Sequence, residues 1–467
     1  MHATKPPLPA WWGSSSFKDM GRTRQSPMRA HLQASWLRVA VALGAPCCGH
    51  APSLANSQAA ERGAEITGRT CYGGTQTLAG HFETPRETDA FAMTLELYAV
   101  ASNVSQAYVV STWSPDAPES VEQEHVWIDG ERVIRETADS PAVVATRWEA
   151  TWARELARLG APSTGTTAYE QRVPHPTFGD VVERIQPGGM TLLDGLSAPK
   201  TLSLAHAAEA VWWTAELRRK RCPRDAEPGN PPDASPQVLM DEITWRTLEP
   251  GVELALLHGS NMVSLVVELS KSLVVCETGL TVQQGEQLID ALAERFPNKP
   301  VAHVLFGHHH PHYTGGLRAF IAAGALVHAP AQNARFAQHL ADLPFTLAPD
   351  RLAKNPKAAR IEPFEGELAL FDDGRLAVQA IDIGRQSNHT QEYVLTYLPR
   401  SKLLFEGDVG WFLGPTGQIR PSRRAAGMLR AVTARGLTVD HLVQSWPLMG
   451  SSQVIEHSAL RAAVSGH

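Results

Sequence analysis

The sequence has no long apolar run and no excess of charge of one sign. No stretch reaches the roughly 18 consecutive apolar residues that a membrane-spanning helix needs. We therefore expect no integral membrane segment in the mature protein. The formal net charge of −6, from 42 basic and 48 acidic residues, argues against nucleic acid or an anionic membrane surface as a partner.

Several catalytic motifs are also absent from the sequence. It contains no glycine-rich phosphate loop and no G-x-S-x-G nucleophile elbow, so the enzyme classes that depend on those motifs are excluded. No cysteine spacing fits a zinc ribbon or a redox C-x-x-C motif, and no internal repeat occurs. Any chemistry must come from other residues.

Cysteine is scarce, with five residues in the whole chain. Cys47 and Cys48 would leave with an N-terminal leader, and Cys71, Cys222 and Cys276 would remain. An odd number leaves at least one free thiol. Cys71 and Cys222 are candidates for a bridge in an oxidising compartment, although the sequence leaves the pairing open.

Residues 1–60 have the layout of a leader that contains a secretory signal peptide. Basic residues accompany an apolar stretch over residues 37–48, and the residues at 53 and 55 suit cleavage before Asn56. Met28 is a candidate for the true start. The layout predicts an exported protein, in the periplasm. The alternative is an N-terminal extension of a cytosolic protein.

The rest of the chain divides into two domains joined by a linker. Residues 62–221 form an accessory domain of mixed α/β character, residues 222–237 are a proline-rich linker, and residues 245–467 form the second domain. In the first domain the patterns predict strands over 91–101 and 107–112, a hairpin over 126–135, and helices over 146–159 and 204–221.

The second domain alternates strands with helices, which is typical of the α/β class. The predicted strands are 254–257, 264–269, 272–276, 301–306, 325–328, 368–371, 376–381, 393–398 and 403–406. The predicted helices are 284–296, 315–323, 333–340 and 423–435.

The densest chemical signal is a histidine cluster in the segment FGHHHPHYTGG. Four of the five residues from His308 to His312 are histidines. In an extended backbone, residues i, i+2 and i+4 point the same way, so His308, His310 and His312 can converge while His309 faces elsewhere. Neutral imidazole is the commonest protein ligand of zinc, so this pattern indicates a metal site rather than four unrelated histidines.

This segment resembles the signature of the metallo-β-lactamase-fold hydrolases, HxHxDH followed by a turn of small residues into a helix. The resemblance extends from Trp245 to near the C-terminus. It includes the strand pair that ends in a D-T-G-like turn, with Glu277 where aspartate is usual, and the later strands. It implies an αβ/βα sandwich, in which His389 is the third histidine ligand and Asp408 the bridging aspartate.

The sequence departs from the family pattern at one of the two metal positions. His312 replaces the usual aspartate, Tyr313 replaces the adjacent histidine, and Met449 stands where a late histidine is usual. His457 lies too far along the chain to be the obvious substitute. The first site keeps its three histidines, so the resemblance implies one zinc ion and leaves a second ion doubtful.

The resulting interpretation is a metal-dependent hydrolase of a small ester, lactone, thioester or amide, acting through zinc-bound hydroxide. His312 is the candidate general base, Asp408 a water-orienting carboxylate or weak metal ligand, and Tyr313 an oxyanion donor. Simple filling of a vacated site is an equal alternative for Tyr313 and Met449. The rival functions are a non-catalytic binding protein and, as in some members of the fold, iron-based oxygen chemistry.

Overall fold

The structure is a computed structural model of the chain. It describes residues 66–80, 90–100, 106–113, 121–129, 132–137, 140–144, 147–159, 167–207, 211–222, 231–236, 242–372, 374–410, 412–413, 418–419, 421–446, 448 and 452–465. The predicted leader and signal peptide, most of the linker and Met449 lie outside these residues.

The N-terminal domain is built on one large sheet. The spatial order of its described strands is β11-β6-β5-β4-β3-β2-β1-β10-β9-β8-β7, and only β11 and β6 pair in parallel. The strands are β1 (Ile66–Gly80), β2 (Ala90–Val100), β3 (Gln106–Trp113), β4 (Val121–Asp129), β5 (Arg132–Thr137), β6 (Ser140–Val144), β7 (Tyr169–His175), β8 (Gly179–Leu193), β9 (Leu196–Ala207), β10 (Val211–Lys220) and β11 (Ser235–Pro236).

Helix α1 (Arg147–Arg158) packs on this sheet, where the sequence predicts a helix over 146–159. On β2, Met93, Leu95 and Leu97 are buried at every second position, as a strand with one face on a core requires. They belong to the same apolar cluster as Leu156 of α1. The domain is thus mostly sheet, with a helix covering one face.

The prediction of a helix over residues 204–221 is wrong. Most of this segment is β10 (Val211–Lys220), which pairs with β1 on one side and β9 on the other. Ala215 and Leu217 of β10 are buried with Leu204 of β9, which is the two-residue period of a strand. Cross-strand pairing overrides the local helical pattern here.

One long-range bond lies within the N-terminal domain, and residues of one of its turns contact the second domain. A disulfide joins Cys71 and Cys222, which are 151 positions apart in sequence, and Cys276 is free and buried. Phe178, in the turn between β7 and β8, shares an apolar cluster with the second domain. Thr177 in the same turn donates to the Leu280 carbonyl at 2.8 Å.

The second domain contains two stacked sheets. The first has the order β12-β13-β14-β15-β16-β17-β18 and the second β19-β20-β21-β22-β25-β26, with β23 and β24 as a separate pair. Their bounds are β12 (Ile243–Glu249), β13 (Val252–Leu257), β14 (Met262–Glu268), β15 (Leu273–Cys276), β16 (Val301–Leu305), β17 (Leu326–Pro330), β18 (Arg360–Phe364), β19 (Glu367–Asp372), β20 (Ala377–Asp382), β21 (Val394–Leu398), β22 (Leu403–Phe405), β23 (Phe412–Leu413), β24 (Gln418–Ile419), β25 (His441–Val443) and β26 (Val454–Glu456).

Helices cover the outer faces of both sheets. On β14, Val263 and Leu265 pack in the apolar cluster between the sheets, whereas Met262 and Val266 pack against helices. The helices are α2 (Val282–Arg295), α3 (Pro311–Thr314), α4 (Leu317–Ala323), α5 (Ala331–Asp342), α6 (Arg351–Lys354), a 3-10 helix (Gly384–Ser387), α7 (Arg423–Ala434) and α8 (His457–Ser465). This four-layered αβ/βα sandwich confirms the predicted fold class.

The loop that carries His308, His309 and His310 after β16, which we call the histidine loop, is held in place by close backbone contacts. A Cβ atom on Gly316 would lie 2.0 Å from the Thr278 carbonyl oxygen and 2.7 Å from Cα of Gly285. Only glycine allows this approach. Thr278 in turn donates its N–H to the Tyr313 carbonyl at 3.0 Å, so the loop that follows β15 holds the histidine loop in place.

None of the helices in the described part of the chain is long and apolar enough to cross a membrane.

Candidate metal centre

Three histidine side chains meet at the edge of the sandwich. His308 and His310 follow β16, and His389 follows the 3-10 helix between β20 and β21. Nε2 of His308 lies 2.6 Å from Nδ1 of His310 and 3.1 Å from Nε2 of His389. We call these residues the three-histidine cluster. Their nearest ring nitrogens face one common point from two separate loops.

The cluster is electrostatically suited to a metal ion. Burial lowers the pKa of His308, His310 and His389 well below the ordinary histidine value, and neighbouring imidazoles or the charge of Arg424 lower it further. The rings are therefore neutral at pH 7, which is the form that binds metals.

The donor set also fits zinc in its dimensions. The ligand nitrogens of His308, His310 and His389 all lie within 4.8 Å of one another. Zinc–nitrogen bonds of about 2.0–2.1 Å in a tetrahedron would separate two nitrogens by roughly 3.3 Å. The two shortest separations are within about 0.7 Å of that value, so small side-chain movements would accommodate the ion.

Asp408 lies beside the cluster in a fully buried position. Its Oδ1 accepts a hydrogen bond from the Tyr393 hydroxyl at 2.9 Å, and its Oδ2 lies 3.6 Å from Nε2 of His389. The same Oδ2 is 3.4 Å from a guanidinium nitrogen of Arg424. Burial raises the pKa of Asp408, while the charge of Arg424 opposes that shift.

His312 and Tyr313 also lie at the site, but both are buried. His312 lies on the short helix α3 rather than on extended backbone, so the i+4 argument does not describe how it reaches the site. It nevertheless forms a second candidate ligand group with His308 and Asp408. Burial first, and then Arg424, lower the pKa of His312 to about 3. Tyr313 is fully buried and belongs to the apolar core.

Other residues singled out from the sequence lie elsewhere. His309 belongs to neither candidate ligand group, and its ring centroid lies 4.8 Å from that of His310 and 5.6 Å from that of Phe336 on α5. His457 begins α8, where its N–H bonds to the Asp440 carbonyl. Asp350 is buried in an ion pair with Arg318.

Sequence reasoning missed three residues that shape the site. Tyr393 stacks on His308, with 4.9 Å between the ring centroids, besides holding Asp408. Arg424 supplies a positive charge. Glu277, noted only as a departure from aspartate, accepts the N–H of Gly307 at 3.0 Å and so fixes the residue before His308. Glu277 stands in the D-T-G-like turn, whereas Tyr393 and Arg424 belong to no motif identified in the sequence, although an arginine in the first turn of a helix is an unusual placement.

The comparisons with known proteins agree with this architecture. Residues 259–451 match the family model of the metallo-beta-lactamase superfamily. The resemblance seen in the histidine motif is therefore confirmed over the residues that this model matches. No curated protein matches the chain.

Solved structures similar to the chain include three metallo-beta-lactamases. DIM-1 is 17% identical, with 48% of this chain and 96% of that chain covered and a TM-score of 0.35. The enzyme from Pontibacter korlensis is 19% identical, with 48% and 98% covered and a TM-score of 0.35. FIM-1 from Pseudomonas aeruginosa, in its mono-zinc form, is 19% identical, with 48% and 93% covered and a TM-score of 0.34.

Proposed function

We propose that the C-terminal domain is a hydrolase of a small ester, lactone, thioester or amide that depends on one zinc ion. The observation that carries the proposal is the convergence of ring nitrogens from His308, His310 and His389. Three histidines with an open fourth position are typical of catalytic rather than structural zinc sites. Zinc bound there would supply a hydroxide nucleophile near neutral pH.

Tyr393 and Asp408, which lie beside the cluster, would position the attacking water. Tyr393 holds Asp408 by donating its hydroxyl hydrogen to Oδ1, which leaves Oδ2 directed towards the cluster. Asp408 would orient the attacking water through that oxygen and accept its proton. Asp408 would thereby perform the role of the family's usual carboxylate, because His312 stands at the position of that carboxylate in the sequence motif.

His312 and Tyr313 have narrower roles in this proposal. The His312 ring is tilted against Tyr313 and Trp446, with centroids 4.0 Å and 5.4 Å away. Such packing favours a role for His312 in lining the substrate site. The complete burial of Tyr313 supports the filling of vacated space rather than donation of a hydrogen bond to an oxyanion.

We also propose that the protein works outside the cytoplasm, in the periplasm. The Cys71–Cys222 disulfide supports this, because such bonds persist in oxidising compartments and are rare in the cytosol. N-terminal sequencing of the protein from its native host tests the proposal. We expect a mature chain that begins near Asn56, and an intact leader in the cytosolic fraction would contradict it.

Metal content and hydrolysis, measured on the same preparations, test the proposed activity. Elemental analysis of the purified protein should give about one zinc ion per chain. Chromogenic ester, lactone, thioester and amide substrates should be hydrolysed by the wild type, lose hydrolysis on chelation and regain it with zinc. The His308→Ala variant should lose both metal and activity. Hydrolysis that survives both chelation and this substitution would reject the proposal.

A non-catalytic metal-binding role is the second candidate function. The substitution of the usual carboxylate by His312, together with the buried Tyr313, favours it. The same experiment separates the two functions. Zinc retained at about one ion per chain, with no hydrolysis across the panel, would support the binding role.

A further inference from the structure

The strongest feature that the proposed function leaves unused is Arg424. It lies in the first turn of α7, which begins after Ser422, whose side chain accepts the N–H of Ala425 at 3.0 Å. A positive charge in the first turn opposes the helix dipole. Arg424 therefore does not stabilise its own helix, and its placement needs another explanation.

The explanation lies in the charge of Asp408. This carboxylate is fully buried, and a buried charge is costly unless it is paired. Its Oδ2 lies 3.6 Å from Nε2 of His389 and 3.4 Å from a guanidinium nitrogen of Arg424, whose side chain is only 15% exposed. The guanidinium is thus the positive charge that balances Asp408.

The guanidinium also lies beside the candidate ligands of a second metal ion. Asp408, which is 3.4 Å from a guanidinium nitrogen of Arg424, forms a second candidate ligand group with His308 and His312. A second metal ion on His312 and Asp408 would sit beside this charge and be repelled by it.

We propose that Arg424 replaces a second metal ion as the countercharge of Asp408, so that the site holds a single metal ion on the three-histidine cluster. The inference rests on the proposed function for that first ion. It gives a positive reason for single-metal binding, beyond the loss of ligands at His312 and Tyr313.

Zinc titration with thermal unfolding tests the role of Arg424. The variants are Arg424→Ala, Arg424→Lys and, as a matched control, Arg423→Ala, which changes an exposed arginine on the same helix. The wild type, Arg424→Lys and the control should bind about one zinc ion, and further zinc should leave their Tm unchanged. Arg424→Ala should melt at a lower temperature, bind about two ions, and regain Tm as the second one binds.

A second variant keeps the test informative if Arg424→Ala folds poorly. Arg424→Ala combined with Asp408→Asn removes both charges, so this protein should fold without extra metal and bind about one ion. Two ions in the wild type, or an Arg424→Ala protein that binds one and does not respond to excess zinc, would overturn the inference alone. No metal in the wild type would overturn the proposed function and this inference together.

Discussion

Replacing Arg318 with methionine tests how much a buried ion pair contributes to the C-terminal domain. Arg318 on α4 and Asp350, the N-cap of α6, are each only 4% exposed. Two guanidinium nitrogens of Arg318 reach the two carboxylate oxygens at 2.6 Å and 3.1 Å. One of its terminal guanidinium nitrogens also donates to three backbone carbonyls at the end of α5, at 2.6–3.2 Å.

Arg318→Met removes all of these bonds and leaves the Asp350 carboxylate buried without its cation. Breaking one side of a buried pair costs about 3–5 kcal/mol. For a domain of roughly 150–250 residues, each kcal/mol lowers Tm by about 2–4 °C, so we expect a decrease of about 6–20 °C. Thermal unfolding followed by circular dichroism measures this decrease.

Arg351→Met is the matched control for this experiment. Arg351 makes an equally close paired contact with Asp290, at 2.8 Å and 2.5 Å, but these side chains are 42% and 63% exposed. A solvent-exposed pair contributes about 0–1 kcal/mol, so Tm should fall by less than about 4 °C. Adding Asp350→Asn to Arg318→Met should recover part of the loss. Equal Tm values for the two single variants would refute the reasoning.

Three further predictions concern the site and the N-terminal domain. His308→Ala should abolish zinc binding, measured by elemental analysis, whereas His309→Ala should retain it because His309 belongs to neither candidate ligand group; the opposite result would contradict the assigned ligands. Gly316→Ala should lower Tm and metal affinity together, because its Cβ would lie 2.0 Å from a carbonyl oxygen; an unchanged Tm would disprove the close contact. Reduction of the Cys71–Cys222 bond, which closes a loop of 151 positions, should destabilise the N-terminal domain by about 5 kcal/mol in denaturant unfolding, and an unchanged midpoint would count against the bond.

The sequence alone was sufficient for most elements of the C-terminal domain. Many of its strands and helices follow local patterns: β14 is a short apolar run that is buried on both faces, and the buried residues Gly285, Leu288 and Leu292 of α2 have helical spacing. The histidine motif and the family resemblance together pointed to His308, His310 and His389, which the fold brings to one point. The element predictions succeed because each depends on a short segment whose pattern is set by its own backbone geometry.

Predictions that depended on distant partners were less successful. Residues 204–221 have a helical pattern, yet β10 forms there because β1 and β9 flank it. The pairing of Cys71 with Cys222 stayed open in the sequence, since it depends on where β1 and the end of β10 meet. Long-range pairing decides such elements, and a local window does not contain it.

The residues of the candidate site show the same contrast between local sequence patterns and long-range contacts. The sequence by itself determined the neutral imidazole donors, because residue type and spacing within one loop carry that chemistry. Only the tertiary structure brought Arg424 to Asp408 and buried Tyr313 in the core. Arg424 lies on α7, which follows β24, and it belongs to no motif identified in the sequence. Its role depends on proximity in space, because a charge acts through distance and burial rather than through sequence separation.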